Sequence, residues 1–211
     1  SIYNENFGYF NDPATEFVAV FFMLMSATNF GLHFLSFSKR SFKYYLANDE
    51  LKLFLSIIFV VVLVSTLTLY MKEGFSVNDS IRYGFFQSIS IVTTTGYTLE
   101  PLSGLGGSIG FLIFVLAFIG ACSGSVGGGM KVWRVLLMLK VGFSNITKII
   151  HPSAISSVKL NGEKIVSSQI EAVFSFIAIY ISFFLLFMFI LIFQNVDFYS
   201  AFSGTAAAIN N

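Results

Sequence analysis

Of 211 residues, 55% are hydrophobic and only 11% charged, with a mean hydropathy of +0.80, which excludes a soluble domain and indicates an integral membrane protein. A net charge of +1 says little by itself, and no nucleic-acid partner is expected. The single cysteine, Cys122, rules out an internal disulfide and a multi-cysteine metal site, and two distant histidines make no metal constellation.

The start, SIYNENFGYFNDP, lacks a basic region leading into an apolar core, so no signal peptide is expected. Four segments free of Asp, Glu, Lys and Arg are each long enough to cross about 30 Å of hydrocarbon: Phe17 to Phe37, Leu53 to Met71, Ile109 to Met130 and Ala172 to Phe193. In the first, Asn29 and His33 stand four apart on one helix face, where a hydrogen bond between helices is the expected role. Lys39, Arg40, Lys43 and Lys52 follow this span. Lys131, Arg134, Lys140, Lys148, Lys159 and Lys164 follow the third, leaving only Lys72 and Arg82 elsewhere. The positive-inside rule places both basic loops in the cytoplasm. Lys131 and Arg134 are expected to snorkel to the interface rather than to face the pore entrance or a partner, and the loop from Gly142 to Ser168 either offers a basic docking surface or does no more than enforce topology.

Between the second and third spans runs YGFFQSISIVTTTGYTLE, Tyr83 to Glu100. Its apolar first half predicts a half-helix over Ser80 to Val92, about 20 Å long and capped by Asp79 or Ser80. Thr93, Thr94, Thr95, Gly96, Tyr97 and Thr98 would strand hydroxyls in lipid, so the segment is re-entrant, returning with its carbonyls toward an aqueous path. The half-helix turns its negative dipole end to that path, which favours a cation. Thr94 to Tyr97 resembles the TVGY part of a potassium-channel filter, with Thr98 in place of the second glycine.

The third span is apolar to Ile119 and then reads GACSGSVGGGM. Each interior glycine costs a helix about 1 kcal/mol relative to alanine, so Gly127, Gly128 and Gly129 together should open it. The reading is a gate under the filter built from Gly120, Ser123, Gly124, Ser125, Gly127, Gly128 and Gly129. Gly120, Gly124 and Gly128 also make the small-xxx-small pattern of helix packing, which does not require the glycine triplet. GSVGGGMK is no phosphate-binding loop, because Lys131 is one position late and no Ser or Thr follows. After the fourth span, QNVDFYSAFSGTAAAINN repeats the pattern of the first half-helix. It predicts a second one over Phe198 to Ile209, with Asp197 near its cap and Asn210 and Asn211 opening another filter. The chain therefore reads as a fragment: 1–52 closes a preceding unit, 53–141 is one complete helix, pore loop and helix unit, and 142–211 begins the next.

Together TTTGYT, FIGACSGSVGGGMKVWRVLLMLK, HPSA at His151, VKLNG at Val158, AAAINN and MSATNFGLHF resemble the TrkH branch of the Trk/Ktr/HKT potassium transporter superfamily. The resemblance implies an all-α membrane fold of M1, pore helix and M2 repeats with re-entrant filter loops around one potassium path. It makes Leu53 to Val141 the third of four repeats, Thr93 to Tyr97 its carbonyl ladder with potassium at Thr94, Thr95 and Gly96, and Asn210 and Asn211 the start of the fourth filter. It also implies a bacterial inner-membrane homodimer that takes up potassium, bears on a cytosolic ring of nucleotide-binding RCK-type subunits (TrkA in this branch), and needs no cofactor. One filter glycine per repeat implies weaker discrimination against sodium than in potassium channels. The competing reading is a secondary transporter of another substrate with a discontinuous helix, which needs a charged residue mid-span; the first, second and fourth spans hold none. An intramembrane hydrolase ranks last, since Ser123 and Ser125 have no His or Asp in any neighbouring span. No enzymatic reaction is expected.

Overall fold

The computed structural model of the chain describes residues 6–72, 74–99, 115–116, 118–151 and 158–210. Asp12 starts α1 (Pro13–Ala27): its carboxylate accepts from the amides of Ala14 (3.3 Å) and Thr15 (3.0 Å), and Pro13 fills the first turn, where a missing N–H is harmless. The helix stops at Thr28, and α2 (Phe30–Ser38) departs at 96°. The expected unbroken span from Phe17 to Phe37 is therefore two helices. Asn29 is the reason, because its side chain accepts from the Leu32 amide (3.3 Å) and caps a new helix instead of continuing the old one. The shared helix face of Asn29 and His33 falls with the break, but the cross-helix hydrogen bond expected of His33 is present. Its Nε2 donates to the Met25 carbonyl (2.8 Å), and its Nδ1 lies 2.7 Å from the hydroxyl of Tyr45 on α3 (Lys43–Ala47), fastening the bend.

Asn48 caps α4 (Asp49–Lys72) by accepting from the Leu51 amide at 2.8 Å. The expected span began only at Leu53; the helix also takes in Asp49 and Glu50, acidic groups that suit a helix N-terminus. Its 24 residues are about 36 Å long, enough to cross. Leu51, Phe54, Ile58, Val61, Ser65 and Leu69 are buried at spacings of three and four, a single stripe along one face.

Against α4 packs α5 (Val77–Val92). It starts three residues before the expected Ser80, because the cap is Ser76, whose hydroxyl accepts from the Asp79 amide (3.2 Å) and donates to its carboxylate (2.7 Å). Sixteen residues give about 24 Å, too short to cross. The two helices meet closely at Gly84, where a Cβ would stand 2.5 Å from Thr66 Oγ1, and at Ser88, which donates to Ser65 Oγ (3.1 Å).

Of the expected third span only 115–116 and 118–130 are described. Beyond it α6 (Val132–Ile150) resumes, so the expected basic loop begins as helix. The remainder includes a hairpin of β1 (Lys159–Leu160) and β2 (Glu163–Lys164), turned by Asn161 and Gly162 at φ 51° and 85°. Asp49 accepts from the Asn161 amide (3.1 Å) and from Lys140 Nζ (2.8 Å), which seats this hairpin on the start of α4. Among the described residues the fold is otherwise all-α, as expected. In the last third, α7 (Ser167–Phe193) carries α8 (Phe198–Asn210) much as α4 carries α5. α7 is apolar all round and buries only Val173, Ile177 and Phe184, the pattern of a span facing lipid. Asp197 caps α8 by accepting from the Ser200 amide (3.0 Å), where the repeat placed it, and α8 runs one residue past the expected end.

Candidate ion path and gate

At the end of α5 the amides of Thr93 and Thr94 donate to Ile89 and Ile91 (2.9 Å each), and those of Thr95 and Gly96 both donate to the Ser90 carbonyl (2.8 and 3.2 Å). Thr94 and Gly96 have φ of 59° and 79°, which turns the chain back on itself. With their amides taken up by the helix end, the carbonyls of Thr93, Thr94, Thr95, Gly96 and Tyr97 accept no hydrogen bond from any described residue. The far end of the turn is laced down by a segment the sequence reading assigned no role. The Phe7 amide donates to the Thr98 carbonyl (3.1 Å), Asn6 Nδ2 donates to Thr98 Oγ1 (3.3 Å), and the Phe7 ring lies against Phe86 and Tyr97.

Helix ends at Gly120, whose amide still donates to Leu116 (3.1 Å), and does not resume until Val132. Gly120, Gly124 and Gly129 sit at φ 71°, 67° and 80°, a conformation that strains any L-residue. Gly120 and Gly124 therefore serve turns, and small-xxx-small helix packing does not describe this segment. The loop lies directly against both half-helix ends. The Gly128 amide donates to Thr94 Oγ1 (2.8 Å), a Cβ on Gly127 would stand 3.0 Å from the Thr93 carbonyl oxygen, and the Gly129 amide donates to the Asn210 carbonyl (3.1 Å). Asn210 ends α8, with its side-chain oxygen accepting from the Tyr180 hydroxyl (2.5 Å); Asn211 lies outside the described residues.

The opposite side of the loop fills the break in the first span. Amides of Cys122 and Val126 donate to the carbonyls of Ala27 (3.0 Å) and Ser26 (3.1 Å), and the Phe30 amide donates to Gly124 (3.0 Å). Two interrupted helices thus satisfy each other's freed backbone groups, the condition for irregular chain at membrane depth. Ser125 Oγ turns inward to the Cys122 carbonyl (2.5 Å). Ser123 is held by a residue absent from the expected site: its amide and hydroxyl both donate to the buried Glu50 carboxylate (2.5 and 2.8 Å). Lys131 and Arg134, both half-buried, turn to backbone carbonyls beside them. Lys131 Nζ donates to the Gly127 carbonyl, while Arg134 donates to the Met130 carbonyl (2.9 Å) and lies 4.0 Å over the Phe176 ring.

Arg82, on α5, is also engaged. It pairs with the buried Glu16 of α1 through two hydrogen bonds (2.8 and 2.5 Å) and donates to Asn11 (2.9 Å). Arg82 was one of only two basic residues off the basic side, and that isolation was the signal for a buried partner. All seven residues expected to form the gate and the five from Thr93 to Tyr97 are brought to one region, with Asn210 beside them.

All of residues 1–211 match the family model described as TrkH, a cation transport protein. The chain is 35% identical over 212 residues to the Trk system potassium uptake protein TrkH of Escherichia coli K12 and 33% identical over 211 residues to that of Halomonas elongata. Each comparison covers 100% of this chain and 44% of the relative. The crystal structure of the potassium transporter TrkH from Vibrio parahaemolyticus is similar at a TM-score of 0.93 and 35% identity, over 98% of this chain and 45% of that one. The chain spans less than half the length of these relatives.

Proposed function

The chain belongs to the TrkH family of cation transport proteins, and on that premise we propose that it forms part of a potassium-conducting pore of the bacterial inner membrane. In this reading Thr93 to Tyr97 form the carbonyl ladder, with potassium at Thr94, Thr95 and Gly96, and Asn210 with Asn211 opens a second filter. Gly120, Ser123, Gly124, Ser125, Gly127, Gly128 and Gly129 form the gate. Residues 53–141 and 142–211 belong to successive repeats and 1–52 to the one before. Carbonyls that accept from no described residue can replace an ion's hydration shell, and the negative ends of α5 and α8 meet the same loop, where a cation would be stabilised.

The observation that carries the gate is the shared seat of the loop: Gly128 bonds Thr94 Oγ1 while the next residue, Gly129, bonds the Asn210 carbonyl. One loop closes on two half-helix ends, so one displacement would clear both. The discontinuous-helix transporter has the interrupted helices in its favour but not the charged residue mid-span that it needs, because the buried carboxylates among the described residues, Glu16 and Glu50, stand in the first turns of their helices and are bonded to Arg82 and to Ser123 and Trp133. Homodimer assembly and a cytosolic nucleotide-binding ring complete the proposal. Potassium is the cargo, and no residue has a catalytic role.

Rubidium uptake by potassium-transport-deficient bacteria tests it, with Gly96→Ser beside the unaltered protein. A Cβ on Gly96 meets nothing within 4 Å, so the substitution acts through its φ of 79° and reorients filter carbonyls without a clash. Uptake that falls, or that admits sodium, supports the filter; uptake unchanged in rate and selectivity refutes it.

A further inference from the structure

The gate loop is tethered mostly by neutral backbone hydrogen bonds, and Glu50 stands apart from these. Its carboxylate, 4% exposed, accepts from the Ser123 amide (2.5 Å), the Ser123 hydroxyl (2.8 Å) and the Trp133 amide (3.0 Å). One side chain from α4 thus grips the loop near its start and α6 at its first turn, bridging the two ends of the glycine-rich segment. The contact to Trp133 fills a local need. Lys131 precedes α6 at φ 75° and makes no side-chain cap hydrogen bond, so an orphan amide and the positive helix end are met by a carboxylate from another helix.

The three donors also make the bound loop strongly preferred. Charge-assisted hydrogen bonds are about twice as strong as neutral ones, and a buried carboxylate stripped of donors is far more costly than a buried carbonyl. Moving Ser123 away leaves Glu50 with the Trp133 amide alone. Resting on the pore reading above, we infer that Glu50 is the positioning residue that holds the gate loop closed, and that opening draws Ser123 off its carboxylate.

Cys122 offers a readout that flux alone does not give. It adjoins Ser123, is 1% exposed, and is the one cysteine of the 211 residues. The protein, produced from its complete gene and reconstituted in liposomes, is assayed for rubidium flux and for the rate at which a small methanethiosulfonate modifies Cys122, with Cys122→Ser as the labelling control. Glu50→Gln keeps the shape but sets an amide N–H₂ against a donor. It is expected to raise both rates about tenfold, the size of one charge-assisted hydrogen bond. Ser123→Ala, which keeps the backbone donor, should raise both about threefold, and Glu50→Asp should return them toward the unaltered values.

Flux and labelling that stay unchanged in Glu50→Gln overturn the inference, as does flux that falls while Cys122 stays unreactive. Should Glu50→Gln fail to accumulate, unchanged rates in Ser123→Ala overturn it instead. Gly96→Ser, run alongside, separates the two ideas. Unaltered flux there refutes the pore, whatever Glu50 does, whereas altered flux there with Cys122 still unreactive in Glu50→Gln refutes the latch alone.

Discussion

Gly127→Ala tests the proposed contact between the gate loop and the filter. Gly127 has no left-handed φ, so the substitution brings no backbone strain, only volume. An ideal Cβ there stands 2.5 Å from Ala121 Cβ, 3.0 Å from the Thr93 carbonyl oxygen and 3.3 Å from Thr94 Oγ1. The first distance is far inside van der Waals contact, and the second involves backbone at a helix end that cannot shift without disturbing Ser90 and Ile89. Overpacking of this kind costs about 1–3 kcal/mol. The Ala121 clash lies within the loop and travels with it, but the clash at Thr93 falls on the seated loop alone, because a displaced loop meets neither Thr93 nor Thr94. The ratio of open to closed pores should therefore rise by about five- to 150-fold, read as rubidium efflux from liposomes at fixed protein density. Ala121→Gly removes the clash within the loop but not the one at Thr93, so the double variant should conduct much as Gly127→Ala does. A Gly127→Ala variant that folds and conducts at the original rate would show that the loop does not seat against the filter when the pore is closed, and the gate reading would fail.

Three further outcomes follow from the packing. Gly84→Ala gains about 1 kcal/mol of helix propensity but drives a Cβ to 2.5 Å from Thr66 Oγ1 and 3.0 Å from the Thr66 amide nitrogen; with overpacking at about 2 kcal/mol, a net loss of about 1 kcal/mol is expected in thermal unfolding in detergent, partly relieved by Thr66→Ala, and a stabilised variant would refute the close approach. Arg82→Met leaves the buried Glu16 carboxylate without its bidentate partner, a loss of about 3 kcal/mol; Glu16→Gln added to it should recover much of that, and a double variant no more stable than Arg82→Met counts against the pair. At the start of α8 the Ser200 amide, and then its side chain, hold the Asp197 carboxyl below its ordinary value of 3.8. Since the folded pKa is the lower one, the cap's contribution is complete above 3.8 and is lost as pH falls through the depressed value; exchange at the Ser200 amide should accelerate over that window and not in Asp197→Asn, which keeps an acceptor at every pH.

What the sequence made legible is chemistry carried by neighbours in the chain. Three consecutive glycines cannot continue a helix, and a threonine run around Gly96 cannot face lipid, so both interruptions were visible without any partner. The second half-helix was visible as a repetition of the first, down to Asp197 at its cap. What stayed hidden are groups paired across 66 and 73 positions, Glu16 with Arg82 and Glu50 with Ser123. Spans bounded by their first charged residue begin after such acids and so count them as loop, although a carboxylate at a helix start is buried readily once donors meet it.

The bend at Thr28 and Asn29 was hidden for a related reason. Within an apolar run Asn29 looks like one more helical residue, because an isolated helix would lose hydrogen bonds at Ser26 and Ala27 by breaking there. The loss disappears only when amides of Val126 and Cys122 arrive from the glycine loop. That loop, in turn, could not leave helical geometry at membrane depth without those two carbonyls. Neither interruption is stable alone, so the glycine signal at Gly127 to Gly129 already called for a second break elsewhere in the chain. Asn29, a capping residue followed by Phe30 in the middle of a span, was the place to look for it.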